Sequence, residues 1–193
     1  MPAAPEPEFS ALLTDLYQLT MAHGYWHAGN AEQEAAFQLV FRKNPFGGGF
    51  TVAAGLDDCI QFLRRFHFAP AELDYLGTLS GRDGKPLFAA GFLAYLGAMR
   101  LELEVEAVPE GTVVFPQEPL VRVRGKLLQA QIVETALLNF INFQSLIATK
   151  AARVCLAAEG DAVIEFGLRR AQGVDGALRA SRAAYVGGCV GTS

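Results

Sequence analysis

The sequence predicts an α/β fold, built as an α+β N-terminal domain followed by the beginning of an incomplete, irregular α/β barrel. Three observations predict it. Apolar residues recur at helical spacing through much of the first hundred positions, the period switches to two from Leu101, and strand and helix alternate near the end of the chain. With 193 residues, 51% of them hydrophobic and 19% charged, the chain is long enough to bury a substantial core. Residues 1–9 read as a disordered acidic, proline-rich tail, 10–130 as the first domain, and 131–193 as the truncated start of the barrel.

Each element has a local reason. Leu16, Leu19, Ala22 and Trp26 share one face of a helix over about 15–28, with Asp15 and Gln18 spaced as a capping pair. Ala36 to Lys43 alternates, with Phe37, Leu39 and Phe41 on one side and Gln38, Val40 and Arg42 on the other. Asn44-Pro45-Phe46-Gly47-Gly48-Gly49 then ends it, giving a strand that runs into a glycine loop. Leu56, Ile60 and Leu63 follow Asp57 and Asp58, acids suited to a helix N-terminus, and Pro70 suits the first turn of the next helix. From Leu101, Leu103 and Val105 oppose Glu102, Glu104 and Glu106, and short strands follow at 112–115 and 120–124. Pro109, Pro116 and Pro119 between them predict a small, partly open sheet. A long helical region begins near Gly125, Ala162 to Phe166 reads as a buried strand, and a helix follows from about Asp175 to Val186.

Composition narrows the function classes. Sixteen Lys and Arg against twenty Asp and Glu give a net charge of −4, so no global positive field favours nucleic acid or an anionic membrane, and an anionic substrate must be held locally. Leu127 to Ala158 is the most apolar long stretch, but its Gln, Glu, Asn, Lys and Arg residues make it too polar to span a bilayer. The N-terminus has neither the basic and apolar regions of a signal peptide nor transit-peptide arginines. Cys59, Cys155 and Cys189 are odd in number and far apart, which suggests neither a disulfide framework nor a zinc site and fits a reducing cytoplasm.

The candidate site residues cluster at element ends. Tyr17 lies roughly 160° from the Leu19 stripe at about 100° per residue. With Met21 and Gly24 it makes a second face that either stacks on a flat ligand, meets another subunit or packs internally. Arg42 and Lys43 stand beside the glycine loop, where two cations and backbone N–H groups suit phosphate oxygens; the alternative is a solvated strand end. Phe166 and Arg169 fall at the C-terminal end of a strand, where a ring covers a heteroaromatic base and a guanidinium clamps an anion. The competing reading makes Phe166 a core residue, with Arg169 or Arg170 paired to Glu165. Thr192 and Ser193, after Gly191, suit the start of a phosphate loop. His23 and His27 lack the intervening Glu of a zincin and a third ligand, and read as structural.

The motifs Leu12-Leu13-Thr14-Asp15-Leu16-Tyr17-Gln18, Phe41-Arg42-Lys43-Asn44-Pro45-Phe46-Gly47-Gly48, Glu134-Thr135-Ala136-Leu137-Leu138-Asn139, Ser145 to Arg153 and Glu165-Phe166-Gly167-Leu168-Arg169-Arg170-Ala171-Gln172-Gly173 resemble the nicotinate phosphoribosyltransferase family. The resemblance implies a cytoplasmic enzyme of NAD biosynthesis that joins nicotinate to phosphoribosyl pyrophosphate, assisted by ATP hydrolysis and Mg²⁺. It implies a head-to-tail homodimer with shared active sites. Tyr17 of a neighbouring subunit would stack the pyridine against Phe166, Arg169 would neutralise anionic substrate, and Arg42 would reach phosphate across the interface. The family's phosphorylatable histidine, later substrate arginine and second phosphate loop fall beyond the position matching Ser193, so this segment alone is expected to be inactive. Cys189-Val190 stands where the family pattern has Phe-Asp, which puts the role of the Thr192 loop in doubt. Two other readings stay open: a noncatalytic protein that pairs with a complete subunit, and a related enzyme that uses nicotinamide or quinolinate.

Overall fold

The computed structural model describes residues 9–192, so the acidic tail over residues 1–8 and the phosphate contact expected of Ser193 lie outside the described residues. The chain forms two compact units, each assembled from three segments. The first takes residues up to Phe37, Ile60–Glu104 and Val123–Ala136; the second takes Gln38–Cys59, Val105–Arg122 and everything from Leu137 onward.

The first unit is mainly helical. Helix α1 (Leu16–His27) buries Gln18, Leu19 and Ala22 and packs on α5 (Leu127–Ile132), whose residues from Leu128 to Ile132 are all buried. Leu16, expected on the buried stripe, is half exposed, and Gln18 takes its place. The expected capping pair does not form. Asp15 sits at the N-cap without a side-chain cap, because its carboxylate accepts from Thr135 instead. Helix α3 (Pro70–Thr78) starts with its proline at the first turn, and Glu72 accepts the Ala69 N–H at 2.8 Å. It packs on α4 (Ala90–Ala98). Phe88, Phe92, Trp26 and His23 make an aromatic cluster there, with His23 and Phe92 centroids 4.9 Å apart. Burial, then the charge of His27, lowers the His23 imidazole's affinity for a proton.

Strands β1 (Glu34–Leu39), β3 (Leu103–Ala107) and β5 (Val121–Lys126) form a sheet of order β1-β5-β3. The glutamates of β3 point to solvent as the alternation requires. The first strand ends at Leu39, four residues before the expected Lys43, so Arg42 and Lys43 stand in the following turn. The three prolines fall in connections, outside every strand.

The second unit is organised by α6 (Glu134–Ala157). Short strands β2 (Thr51–Val52) and β4 (Val113–Val114) pair antiparallel. The other edge of the β2 segment is taken by α6 side chains: Thr149 Oγ1 accepts the Val52 N–H at 2.9 Å, and Ser145 Oγ accepts the Ala54 N–H at 3.0 Å. One helical turn separates Ser145 from Thr149, so both hydroxyls face the same strand. Helix α2 (Leu56–Arg65) starts just after, and Glu110 caps it, accepting the Gly55 N–H at 2.6 Å and the Leu56 N–H at 3.1 Å.

Near the end of the chain, β6 (Ile164–Glu165), a 3-10 turn (Leu168–Arg170), α7 (Gly173–Val186) and β7 (Gly191–Thr192) make a β-α-β unit with parallel strands. Arg179 on α7 bonds Asp58 at 2.7 Å, and Arg182 grips Glu110 through two bonds of 2.9 and 2.6 Å. The β6 segment was expected to be buried, yet Ile164 is 60% exposed. Among the described residues β6 pairs with β7 alone, which leaves the outer edges of this small sheet unpaired.

Candidate ligand site

Two motifs far apart in sequence meet around Tyr17. Thr14 Oγ1 donates to the Ile132 carbonyl at 3.3 Å, Thr135 Oγ1 donates to Asp15 at 3.1 Å, and the fully buried Gln18 donates to Glu134 at 2.9 Å and to the Tyr17 hydroxyl at 3.2 Å. The Tyr17 ring is 56% exposed while its hydroxyl is tied to this buried network, so the ring presents a face to solvent in a defined orientation. Met21 and Gly24 are exposed on the same helix face. Internal packing, one of the sequence readings, does not occur within this unit.

Phe166 is 71% exposed, and among the described residues nothing packs it into a core. The Glu165 carboxylate is occupied otherwise than by an arginine. One oxygen accepts the Gly167 N–H and the other the Ser181 hydroxyl at 3.0 Å, bracing the turn that carries Arg169. Arg169 and Arg170 are exposed, and among the described residues neither forms a side-chain hydrogen bond or ion pair. An aromatic ring and two unpaired guanidiniums are therefore all exposed within a short stretch that follows β6, residue types suited to a flat anion. Thr192 lies opposite Glu165 in the β6–β7 register and lines an open hollow of about 510 Å³ with Ser181, Arg182, Tyr185, Val186 and Gly191.

Arg42 and Lys43 are exposed beside the glycine loop, whose Phe46 adopts φ 58° and Gly47 φ 61°. Lys150 lies over the Phe46 ring, 4.7 Å from its centroid, and the Arg153 guanidinium fills the space a side chain on Gly48 would need. Nothing local in the sequence links Lys150 and Arg153 to this loop. Their three-residue spacing on a helix was the available signal, but only the fold says what that face meets. The described residues contain no group of three or more His, Cys, Asp or Glu side chains able to hold a metal, and no helix long and apolar enough to cross a membrane.

Residues 12–142 match the family model of the nicotinate phosphoribosyltransferase N-terminal domain. The chain belongs to this family. It is 46% identical over 189 residues to nicotinate phosphoribosyltransferase 1 of Arabidopsis thaliana, covering 97% of the chain and 33% of the relative. It is 47% identical over 194 residues to the nicotinate phosphoribosyltransferase of Homo sapiens, covering 97% and 35%. The crystal structure of human nicotinic acid phosphoribosyltransferase superposes with a TM-score of 0.83 at 47% identity, over 94% of this chain and 36% of that one. A nicotinate-nucleotide pyrophosphorylase from Pyrococcus furiosus, at 24% identity and TM-score 0.70, shares the fold. The chain spans about a third of the length of the curated relatives it matches.

Proposed function

We propose that this chain is the N-terminal part of a nicotinate phosphoribosyltransferase, supplying the pyridine-binding half of the site that forms nicotinate mononucleotide and pyrophosphate. The observation that carries it is the exposed Phe166 beside the unpaired Arg169 on a turn whose own carboxylate is already satisfied. Phe166 stacks on the pyridine ring and Arg169 neutralises its carboxylate. The pyridine nitrogen is thereby held in line for attack on the anomeric carbon as pyrophosphate leaves. Catalysis of this kind rests mainly on positioning, because the oxocarbenium-like transition state needs the nucleophile already in place.

Tyr17, oriented by Gln18 and Glu134, completes the stack on a neighbouring subunit's Phe166 in a homodimer with shared sites. Arg42, Lys43 and Thr192 take phosphate oxygens. Barrel completion, the domain boundaries near 130 and the cytoplasmic setting belong to this same reading. Mg²⁺ and ATP enter through the family; the described residues contain no group of three or more His, Cys, Asp or Glu side chains able to hold the metal.

The test is steady-state turnover of nicotinate, nicotinamide and quinolinate by a full-length protein containing these residues. Phe166→Ala and Arg169→Ala should each lower kcat/KM for nicotinate by about tenfold or more, the scale of one lost stacking or charge-assisted contact. Normal nicotinate turnover by both variants would sink the site assignment, and preference for another pyridine would move the substrate.

A further inference from the structure

We infer that Cys155 and Cys189 form a modification site, a dithiol that a two-electron oxidant of the peroxide class converts into an intramolecular disulfide. Cysteine spacing argued against any disulfide, but the fold of the second unit brings these two together. Cys155 sits near the C-terminal end of α6 and Cys189 between α7 and β7, and both pack in one small cluster with Ala151, Ala184, Ile147 and Val163. At Gly188 the backbone turns with φ 109°, and a Cβ there would come within 3.6 Å of Cys155 Sγ, so the main chain just before Cys189 passes one side-chain bond from contact with Cys155. Cys189 is held in register from both sides: its N–H bonds the Ala184 carbonyl at 3.0 Å, and the next N–H bonds Val163 at 2.9 Å.

Access is asymmetric. Cys189 is 5% exposed, whereas Cys155 is partly exposed and lines an apolar groove of about 690 Å³ with Phe50, Phe115, Ala152 and Leu156. A small neutral peroxide reaches Cys155 through that groove. The Cys155 thiolate attacks one peroxide oxygen, the O–O bond breaks and one water leaves, giving a sulfenic acid. Cys189, having released its proton, then attacks the Cys155 sulfur; the S–S bond forms, the S–O bond breaks and hydroxide leaves as a second water. The two thiols lose two electrons and two protons in all, and one hydrogen peroxide accepts them. The bridge fastens the segment feeding β7 to α6. Cys59 takes no part, since it is buried against the Leu137 carbonyl with its thiol pushed up to about 12 by that burial and by Asp58 and Glu110.

The experiment treats the reductant-free chain with hydrogen peroxide, counts thiols after denaturation and maps peptides by mass. The expected result is a fall from three free thiols to one, a product two hydrogens lighter, a Cys155–Cys189 crosslinked peptide, and full reversal by dithiothreitol. Cys189→Ser should stop at a dimedone-trappable sulfenic acid on Cys155, while Cys59→Ser should still form the bridge. Three thiols surviving in the wild-type chain would overturn the inference. So would a crosslink that includes Cys59 or joins two chains, or separate oxidation of both cysteines without a bridge.

Discussion

Replacing Glu110 should expose how the second unit is fastened. Its carboxylate does two jobs: it caps α2 through the Gly55 and Leu56 N–H groups, and it receives a bidentate grip from Arg182 on α7. Glu110→Ala removes the cap, costing about 1 kcal/mol. It also removes the ion pair, counted at no more than about 1 kcal/mol because the Arg182 side chain is 43% exposed and water screens it. The expected loss is about 2 kcal/mol, read in urea as a lower midpoint at unchanged slope, or as a melting temperature lower by about 4–8 °C. Glu110→Gln keeps a capping oxygen but turns a donor toward Arg182, so it should cost about half as much.

The pH dependence follows from the same contacts. Burial alone raises the Glu110 carboxyl's pKa, but Arg182 and the two backbone N–H groups outweigh it, leaving it below its ordinary value of 4.5. A carboxyl that binds its proton less tightly when folded contributes its stabilisation fully above the unfolded value and loses it as pH falls through the folded one. The stability gap between wild type and Glu110→Gln should therefore hold at neutral pH and narrow as pH falls below about 4.5. A Glu110→Ala loss under about 0.5 kcal/mol, or a gap that stays constant into acid, would refute this account of the cap.

Two other changes test the α6–β2 contact and a backbone close approach. Thr149→Val keeps the shape but leaves the buried Val52 N–H without its acceptor, and should cost about 1–3 kcal/mol in chemical denaturation; a neutral result would mean that N–H finds another partner. Gly55→Ala forces a side chain onto a φ of 100° and into the Phe140 carbonyl, whose carbon would be 2.8 Å away, so it should cost at least about 2 kcal/mol. Unfolding midpoints indistinguishable from wild type would show that the loop has room to move.

How much the sequence could say depended on the range of the interaction involved. The α1 helix, the Pro70 start of α3 and the in–out alternation of β3 follow from neighbours three, four or two residues apart, and all appear nearly where the residues put them. The exposed face of Tyr17 was legible for the same reason, since helical geometry alone separates it from the Leu19 stripe. The family, too, was legible in the motifs.

The failures were of another kind. Asp15 and Gln18 have the spacing of a cap, but distant partners in Thr135 and Glu134 outcompete the local bonds. Glu165 was an equally good local partner for Arg169 or Arg170, and the Ser181 hydroxyl and Gly167 N–H take it instead. By itself the sequence determined the kind of the longer elements, the residue types offered to a ligand and the family. Tertiary structure alone decided which side chains are already spent on one another and which remain free: Lys150 over Phe46, Arg182 on Glu110, Cys155 in the cluster that holds Cys189. The physical reason is that periodicity and capping are governed by bonds within a turn or two of chain, whereas a buried polar group satisfies itself with whatever the packed fold places within hydrogen-bond reach.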